Sequence, residues 1–185
     1  MGKNIICISG NIAVGKSEVA KRLAAKLGYK LYKASESFRA CARENNMSLV
    51  EFNDYVKENP SIDINIENHT KKVAQKNSNI VIDARLGFYV APESFKVYMI
   101  ADVKEAAKRL YHASKLRGEE EDYNSEGEAM VAIKHREDSE HERYLKLYNV
   151  DICDMKNYDY IIDTTNLTQE EVVNKIYEKY VNLEG

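Results

Sequence analysis

Several functional classes are set aside by what this sequence lacks. Lys and Arg number 27 against 30 Asp and Glu, a net charge of −3, so no basic excess points to nucleic acid or to an anionic membrane surface. No apolar run approaches the ~20 residues that a membrane-spanning helix needs. Residues 1–4 offer no secretory leader ahead of the first apolar run, and the cytoplasm is the expected compartment. Cys7, Cys41 and Cys153 are scattered without a C-x-x-C pair, which argues against a disulfide framework and for a reducing environment. His69, His112, His135 and His141 show no metal-ligand spacing, so no zinc site is expected. No repeat, linker or low-complexity segment divides the chain. Residues 1–185 are expected to form one domain with a sizeable core, acting as a monomer.

What is present is concentrated near the N-terminus. Residues 5–18 read Ile-Ile-Cys-Ile-Ser-Gly-Asn-Ile-Ala-Val-Gly-Lys-Ser-Glu. Gly10, Gly15, Lys16 and Ser17 complete G-x-x-x-x-G-K-[ST], the phosphate-binding loop of P-loop proteins. An apolar, β-branched run precedes the loop as a buried strand should. Val19, Leu23 and Leu27 follow it at helical spacing, with Gly28 placed to cap the helix. Glycines allow close backbone approach to a polyphosphate, and the loop N–H groups and the helix N-terminus then meet the anion. The segment Gly10, Asn11, Ile12, Ala13, Val14, Gly15, Lys16, Ser17, Glu18 is therefore the expected ATP site. Lys16 would reach the β- and γ-phosphates, and Ser17 would ligate Mg²⁺.

Strand candidates at residues 29–33, 79–83, 95–100 and 160–162 alternate with helical segments. Ser35 is placed to cap a helix through Phe38 and Ala42. Ser48 and Glu51 form a capping box for the next helix, which carries Leu49, Phe52, Tyr55 and Val56 and ends near Pro60. Residues 61–76 read as a helix with Ile62, Ile66, Val73 and Ala74 on its apolar side. Residues 103–113 form another helix, and the polar, acidic stretch 114–127 is a loop candidate. A charged helix over 128–148 and a last one over 167–180, with Thr168 as cap, complete the pattern. This alternation predicts an α/β fold, a parallel sheet with helices on both faces.

Ligands of such sheets gather at the carboxyl ends of the strands. Asp83 closes an apolar run there, as a Walker-B-like carboxylate does, and is a second Mg²⁺ candidate. Arg85, two residues on, has the planar fork that suits phosphate. Arg39 is a candidate phosphate clamp, with solvated surface as the competing reading. Arg109 and Arg117 flank the start of the acidic loop; Arg136 and Arg143 are seven residues apart, close to one helical face. Such positive charge is what neutralising a transferred phosphoryl group requires. The competing reading is a salt-bridged solvent face.

Taken together, these motifs resemble the archaeal-type cytidylate kinases, a branch of the nucleoside monophosphate kinases. The resemblance rests on Ile8-Ser9-Gly10 with Gly15-Lys16-Ser17, Phe38-Arg39, Met47-Ser48-Leu49 with Glu51-Phe52-Asn53, and Pro60-Ser61-Ile62-Asp63. It continues through Asp83-Ala84-Arg85-Leu86, Arg136-Glu137-Asp138-Ser139-Glu140 with Arg143-Tyr144, Asp151-Ile152, Tyr158-Asp159 and Ile161-Ile162-Asp163-Thr164. It implies the P-loop NTPase three-layer fold with a five-stranded parallel core, a helical acceptor-binding segment over about 35–77 and a lid over about 114–127. It implies transfer of the ATP γ-phosphoryl to CMP or dCMP with Mg²⁺, in pyrimidine nucleotide metabolism. By position, Lys16, Arg109, Arg117, Arg136 and Arg143 would surround the transferred group. Arg39, Asp63, Asp83 and Arg85 would serve the acceptor. The family pattern has a glycine where Ser35 stands, often a glycine at Ala84, and arginines and a glutamine within 64–70. Here that last segment reads Ile-Asn-Ile-Glu-Asn-His-Thr. Two alternatives stay open: a P-loop small-molecule kinase with another acceptor, and a nucleotide-binding regulator. No N-K-x-D motif is present and position 86 is Leu, which argues against a GTPase-type switch.

Overall fold

The computed structural model describes residues 4–117 and 122–184. Strands β1 (Ile5–Gly10), β2 (Lys30–Lys33), β3 (Ile80–Asp83), β4 (Phe95–Ile100) and β5 (Tyr160–Asp163) form one parallel sheet in the order β2-β3-β1-β4-β5. The helices among the described residues are α1 (Lys16–Leu27), α2 (Ala34–Glu44), α3 (Leu49–Glu58), α4 (Ser61–Lys76), α5 (Gly87–Val90), α6 (Val103–Arg117), α7 (Glu126–Tyr148) and α8 (Gln169–Glu184). This is the five-stranded, three-layer P-loop arrangement that the alternation and the resemblance predict.

Side chains alternate across β1. Ile6 and Ile8 enter a core with Val19 and Leu23 of α1 and Val173 and Ile176 of α8. Ile5 and Cys7 face the opposite layer, with Ala34 of α2 and Ala74 of α4. Both faces are covered, so the strand reads as an unbroken apolar run. Each fully buried Ile contributes about 1.5–3 kcal/mol. Cys7 acts as a small core residue; burial pushes its thiol up to about 12. The chain visits one side of β1 with β2 and β3 and then crosses to β4 on the other. That change of direction opens a crevice at the carboxyl ends of β1 and β3, where the phosphate loop and Asp83 lie.

Local signals fix several boundaries. Ser48 and Glu51 form the expected reciprocal cap of α3, a feature worth about 1 kcal/mol. Thr168 and Glu171 do the same ahead of α8. Ser35 does not cap α2: the helix begins at Ala34 with Lys33 as N-cap, because β2 runs directly into it and leaves no turn. Residues 114–117 continue α6 rather than opening a loop. The rest of the expected lid includes residues 118–121, which lie outside the described residues, and α7 already starts at Glu126. The short helix α5 has no periodic signature long enough to be read in advance.

Helix α4 departs most from its sequence reading. Its bounds are as expected, but it buries Asp63, Glu67, Thr70 and Ala74. Ile62, Ile66 and Val73 are half-buried at the edges of that stripe. The helix has turned polar residues inward, which costs free energy unless those groups find partners or a ligand.

Candidate functional site

The phosphate loop is shaped by its backbone. Gly10 has φ 142°, and a Cβ there would run into the Met99 backbone of β4. Gly15 has φ 89° immediately before α1. Ala13 also holds a positive φ, 60°, a conformation costing a non-glycine residue about 1–3 kcal/mol and typical of functional loops. Lys16 Nζ donates to the carbonyl of Gly10 at 3.0 Å and to that of Asn11. Burial, then the Arg85 guanidinium, push the Lys16 ammonium down to about 7, against the pull of Asp83, Glu140 and Glu137. The β1–β3 register sets Ile8 beside Asp83. From there Asp83 Oδ2 accepts a 2.7 Å hydrogen bond from Ser17 Oγ. A hydroxyl and a carboxylate side by side are the hard oxygen donors Mg²⁺ takes, so the residues fit that ion.

A cavity of about 370 Å³ extends from this loop. Ile12, Ala13, Gly15, Lys16, Ser17 and Glu18 line one end; Ala34, Ser35, Phe38, Arg39 and Leu49 line it from α2 and α3; Asp63, Ile66 and Glu67 line it from α4. Asp83, Arg85, Arg109, Arg136, Glu140, Arg143 and Tyr144 complete the wall. The structure thus brings Arg39, Asp63, Asp83, Arg85, Arg109, Arg136 and Arg143 to one space with Lys16. Arg117 closes α6, and its side chain lies outside the described residues.

Each of these groups is held differently. Arg85 donates to the Gly10 carbonyl and pairs with Glu140, Nε to Oε2, at 2.7 Å. Arg109 pairs with Glu105 at 2.9 Å and donates to the Thr164 and Thr165 carbonyls at 2.8 and 3.0 Å. Arg143 is 4% exposed; its Nε meets Asp63 Oδ2 at 2.7 Å, and its Nη1 reaches Asn53 Oδ1 and Ser139 Oγ at 3.0 and 3.2 Å. Asp63 is thereby tied to α7 and α3. Arg136, one face along α7, is also buried. The inner face of this charged helix is therefore no solvent face: Arg136, Ser139, Glu140, Arg143 and Tyr144 are all buried.

Three acids at the site carry roles that sequence reasoning missed. Glu137 Oε1 accepts from the Ile12 N–H at 2.8 Å and from Asn11 Nδ2 at 3.0 Å, pinning the phosphate loop to α7. Glu140 holds Arg85. Glu67 is 6% exposed, and its Oε2 has no hydrogen-bond partner among the described residues. The spacing 136, 139/140, 143/144 could have signalled a buried stripe on α7 with Glu137 at its edge; a run of charges on both sides of it masked that period. Away from the cavity, His141, Asp151 and Cys153 bring three ligand-type atoms within 4.8 Å of one another. Histidine spacing does not reveal this group, because its other members come from the following loop. No helix among the described residues is long and apolar enough to cross a membrane.

Comparison with known proteins agrees with this geometry. Residues 5–166 match the Cytidylate kinase-like family. The chain is 35% identical over 173 residues to a cytidylate kinase of Archaeoglobus fulgidus, covering 91% of this chain and 89% of that protein. It is 34% identical over 174 residues to a cytidylate kinase of Ignicoccus hospitalis, covering 93% and 96%. Among solved structures, shikimate kinase from Bacteroides thetaiotaomicron shares the fold, with a TM-score of 0.61 at 16% identity over 96% of this chain and 98% of that one. Kinases of this family use a nucleotide as phosphoryl donor, and neither a regulator nor an unrelated acceptor is favoured by these relatives. With its phosphate loop, its sheet order and its relatives in agreement, the chain belongs to the cytidylate kinase-like family.

Proposed function

We propose that this protein transfers the γ-phosphoryl group of ATP to CMP or dCMP, releasing ADP and the nucleoside diphosphate. The observation that carries the reading is a single cavity joining a phosphate loop to Arg39, Arg85 and the α4 wall, in a chain whose relatives are cytidylate kinases. The Gly10–Glu18 backbone and Lys16 would hold the ATP phosphates, and Ser17 and Asp83 the Mg²⁺. That ion would supply neutralisation of phosphate charge. Arg85 and Arg39 would hold the acceptor phosphate, Arg85 exchanging Glu140 for it. Arg109, Arg117 and Arg136 would gather charge around the transferred group. Arg143 serves differently in this reading: bound to Asp63, Asn53 and Ser139, it braces the acceptor wall. Catalysis is then positioning plus charge stabilisation in a water-poor site.

The test is ADP release from ATP and Mg²⁺ with CMP, dCMP, UMP, AMP, GMP and dTMP supplied separately. Strong stimulation by CMP or dCMP is the expected result. Stimulation by none of the six would move the acceptor outside the nucleotides.

A further inference from the structure

The cavity is charged unevenly along its length. Lys16 and Arg85 lie toward the phosphate-loop end. The opposite wall, from α4, offers two acids one helical turn apart, Asp63 and Glu67, 2% and 6% exposed. Arg143 commits its Nε to Asp63 and its Nη1 to Asn53 and Ser139. Asp63 is thus the carboxylate matched by a cation. Glu67 retains an oxygen, Oε2, without a hydrogen-bond partner among the described residues. Tyr148 Oη, whose phenol feels Glu67, is likewise without a hydrogen-bond partner among the described residues. A buried polar atom left unmade costs about 1–3 kcal/mol, so a cavity wall that keeps the Glu67 oxygen in this state is suited to a partner from outside the chain. Phe38 and Ile66 give the same end of the cavity apolar surface suited to the faces of a flat ring.

Building on the cytidylate kinase reading, we propose that Glu67 recognises the acceptor base as a carboxylic acid. Its carbonyl oxygen accepts from the exocyclic amino group of cytosine, and its hydroxyl donates to ring N3. One neutral carboxyl supplies the donor and the acceptor that this edge requires.

The surroundings keep the proton on Glu67. Burial first, then the neighbouring Asp63, push its carboxyl up to about 8, with Arg143 opposing. The groups packed about this end are Asp63 on α4, Glu140, Arg143, Tyr144 and Tyr148 on α7, Tyr89 on α5 beside Tyr148, Arg39 on α2 and Arg85 after β3. Burial raises the phenols of Tyr144 and Tyr148, so both stay neutral to pH 9, and Arg85 and Arg143 stay charged. Above pH 8 Glu67 loses its proton, and cytosine N3 then faces a carboxylate, acceptor against acceptor. Uracil meets the matching conflict at O4, while its N3–H still donates to the carboxylate.

The experiment is steady-state kinetics with CMP and UMP from pH 7 to 9 on the wild type, E67Q and E67L, each checked for a cooperative thermal transition. In the wild type, KM for CMP should rise about tenfold across this range, and KM for UMP should rise with it through O4; Lys16, pushed down to about 7, titrates over the same range and lowers kcat in the wild type and E67Q alike. At pH 7, E67L should raise KM for CMP about 10- to 100-fold, the cost of one lost bidentate contact. E67Q carries the same donor–acceptor pair on an amide that does not titrate. It should restore most of that loss and flatten the alkaline rise. An unchanged KM in E67L, or a wild-type rise of KM with pH in E67Q, overturns the assignment; if E67L does not fold, the E67Q KM profile decides. If the wild type phosphorylates no pyrimidine monophosphate, the cytidylate kinase reading falls and takes this one with it. If it phosphorylates CMP while E67L keeps a wild-type KM, this inference alone is lost.

Discussion

The two ends of the cavity are made from different materials. The phosphate-loop end is main chain: glycines in left-handed conformations, peptide N–H groups and one lysine, rooted in an apolar strand buried on both faces. The α4 end is side chain: Asp63, Glu67, Asn53 and Arg143, drawn from three helices up to 90 residues apart in sequence. Main chain offers the same groups whatever the sequence, so a loop built from it suits a ligand part common to all nucleotides. Side chains differ at every position, so a wall built from them can differ between acceptors. Under the proposed function, the common chemistry belongs to one end and the selective chemistry to the other.

That division can be broken by mutation, end by end. The largest effect belongs to the loop. Lys16→Ala should lower kcat at least about 1,000-fold, because a charge used on the phosphates in the transition state is removed. Far-ultraviolet dichroism should show the fold unchanged, and near-normal turnover would sever the loop from the chemistry. Next comes the wall. Asp63→Ala leaves Arg143 buried beside a missing carboxylate, and should destabilise the protein by about 3–5 kcal/mol. Thermal melts read this as a fall of roughly 10 °C in midpoint. Adding Arg143→Met to that variant should recover part of the loss; no recovery would show that the pair is not coupled.

Arg85→Ala probes the boundary between the two ends. It should raise the acceptor KM about 10- to 100-fold while moving the ATP KM much less. Equal effects on both substrates would erase the distinction between the ends. The smallest change is remote from either. Ser48→Ala removes the α3 cap for about 1 kcal/mol, a drop of roughly 2–4 °C, with KM values unaltered. An altered acceptor KM there would mean that α3 transmits its stability into the wall.

The same division decided what could be read in the sequence. The loop, the strand before it and the helix after it are contiguous, so Gly10, Gly15, Lys16 and Ser17 announce themselves. Asp83 and Arg85, which line the cavity, can be picked out as candidates because strand ends are predictable places. In α4 apolar periodicity picks Ala74, which is buried, but also Ile62, Ile66 and Val73, which are half-buried, whereas the helix turns Asp63 and Glu67 inward; Asp63 is picked only by the resemblance, and Glu67 by neither. Hydrophobic patterning ranks residues by transfer from water and has no knowledge of an arginine arriving from residue 143. Ser35 failed as a cap for a local reason: β2 passes straight into α2, and no extended residue is left for a serine to occupy. On α7, the resemblance picks out Arg136 and Arg143, but the bonds of Arg143 to Asp63, Asn53 and Ser139 join three helices and have no sequence signal.

Glu137 gives the loop a property of timing. Its carboxylate already occupies the Ile12 N–H and the Asn11 amide, tying the loop to α7. The conformational entropy of ordering that segment is thus surrendered once, when the chain folds, and not again at each encounter with a nucleotide. Every turnover begins from a loop already in shape, and nucleotide exchange need not wait for the loop to be rebuilt.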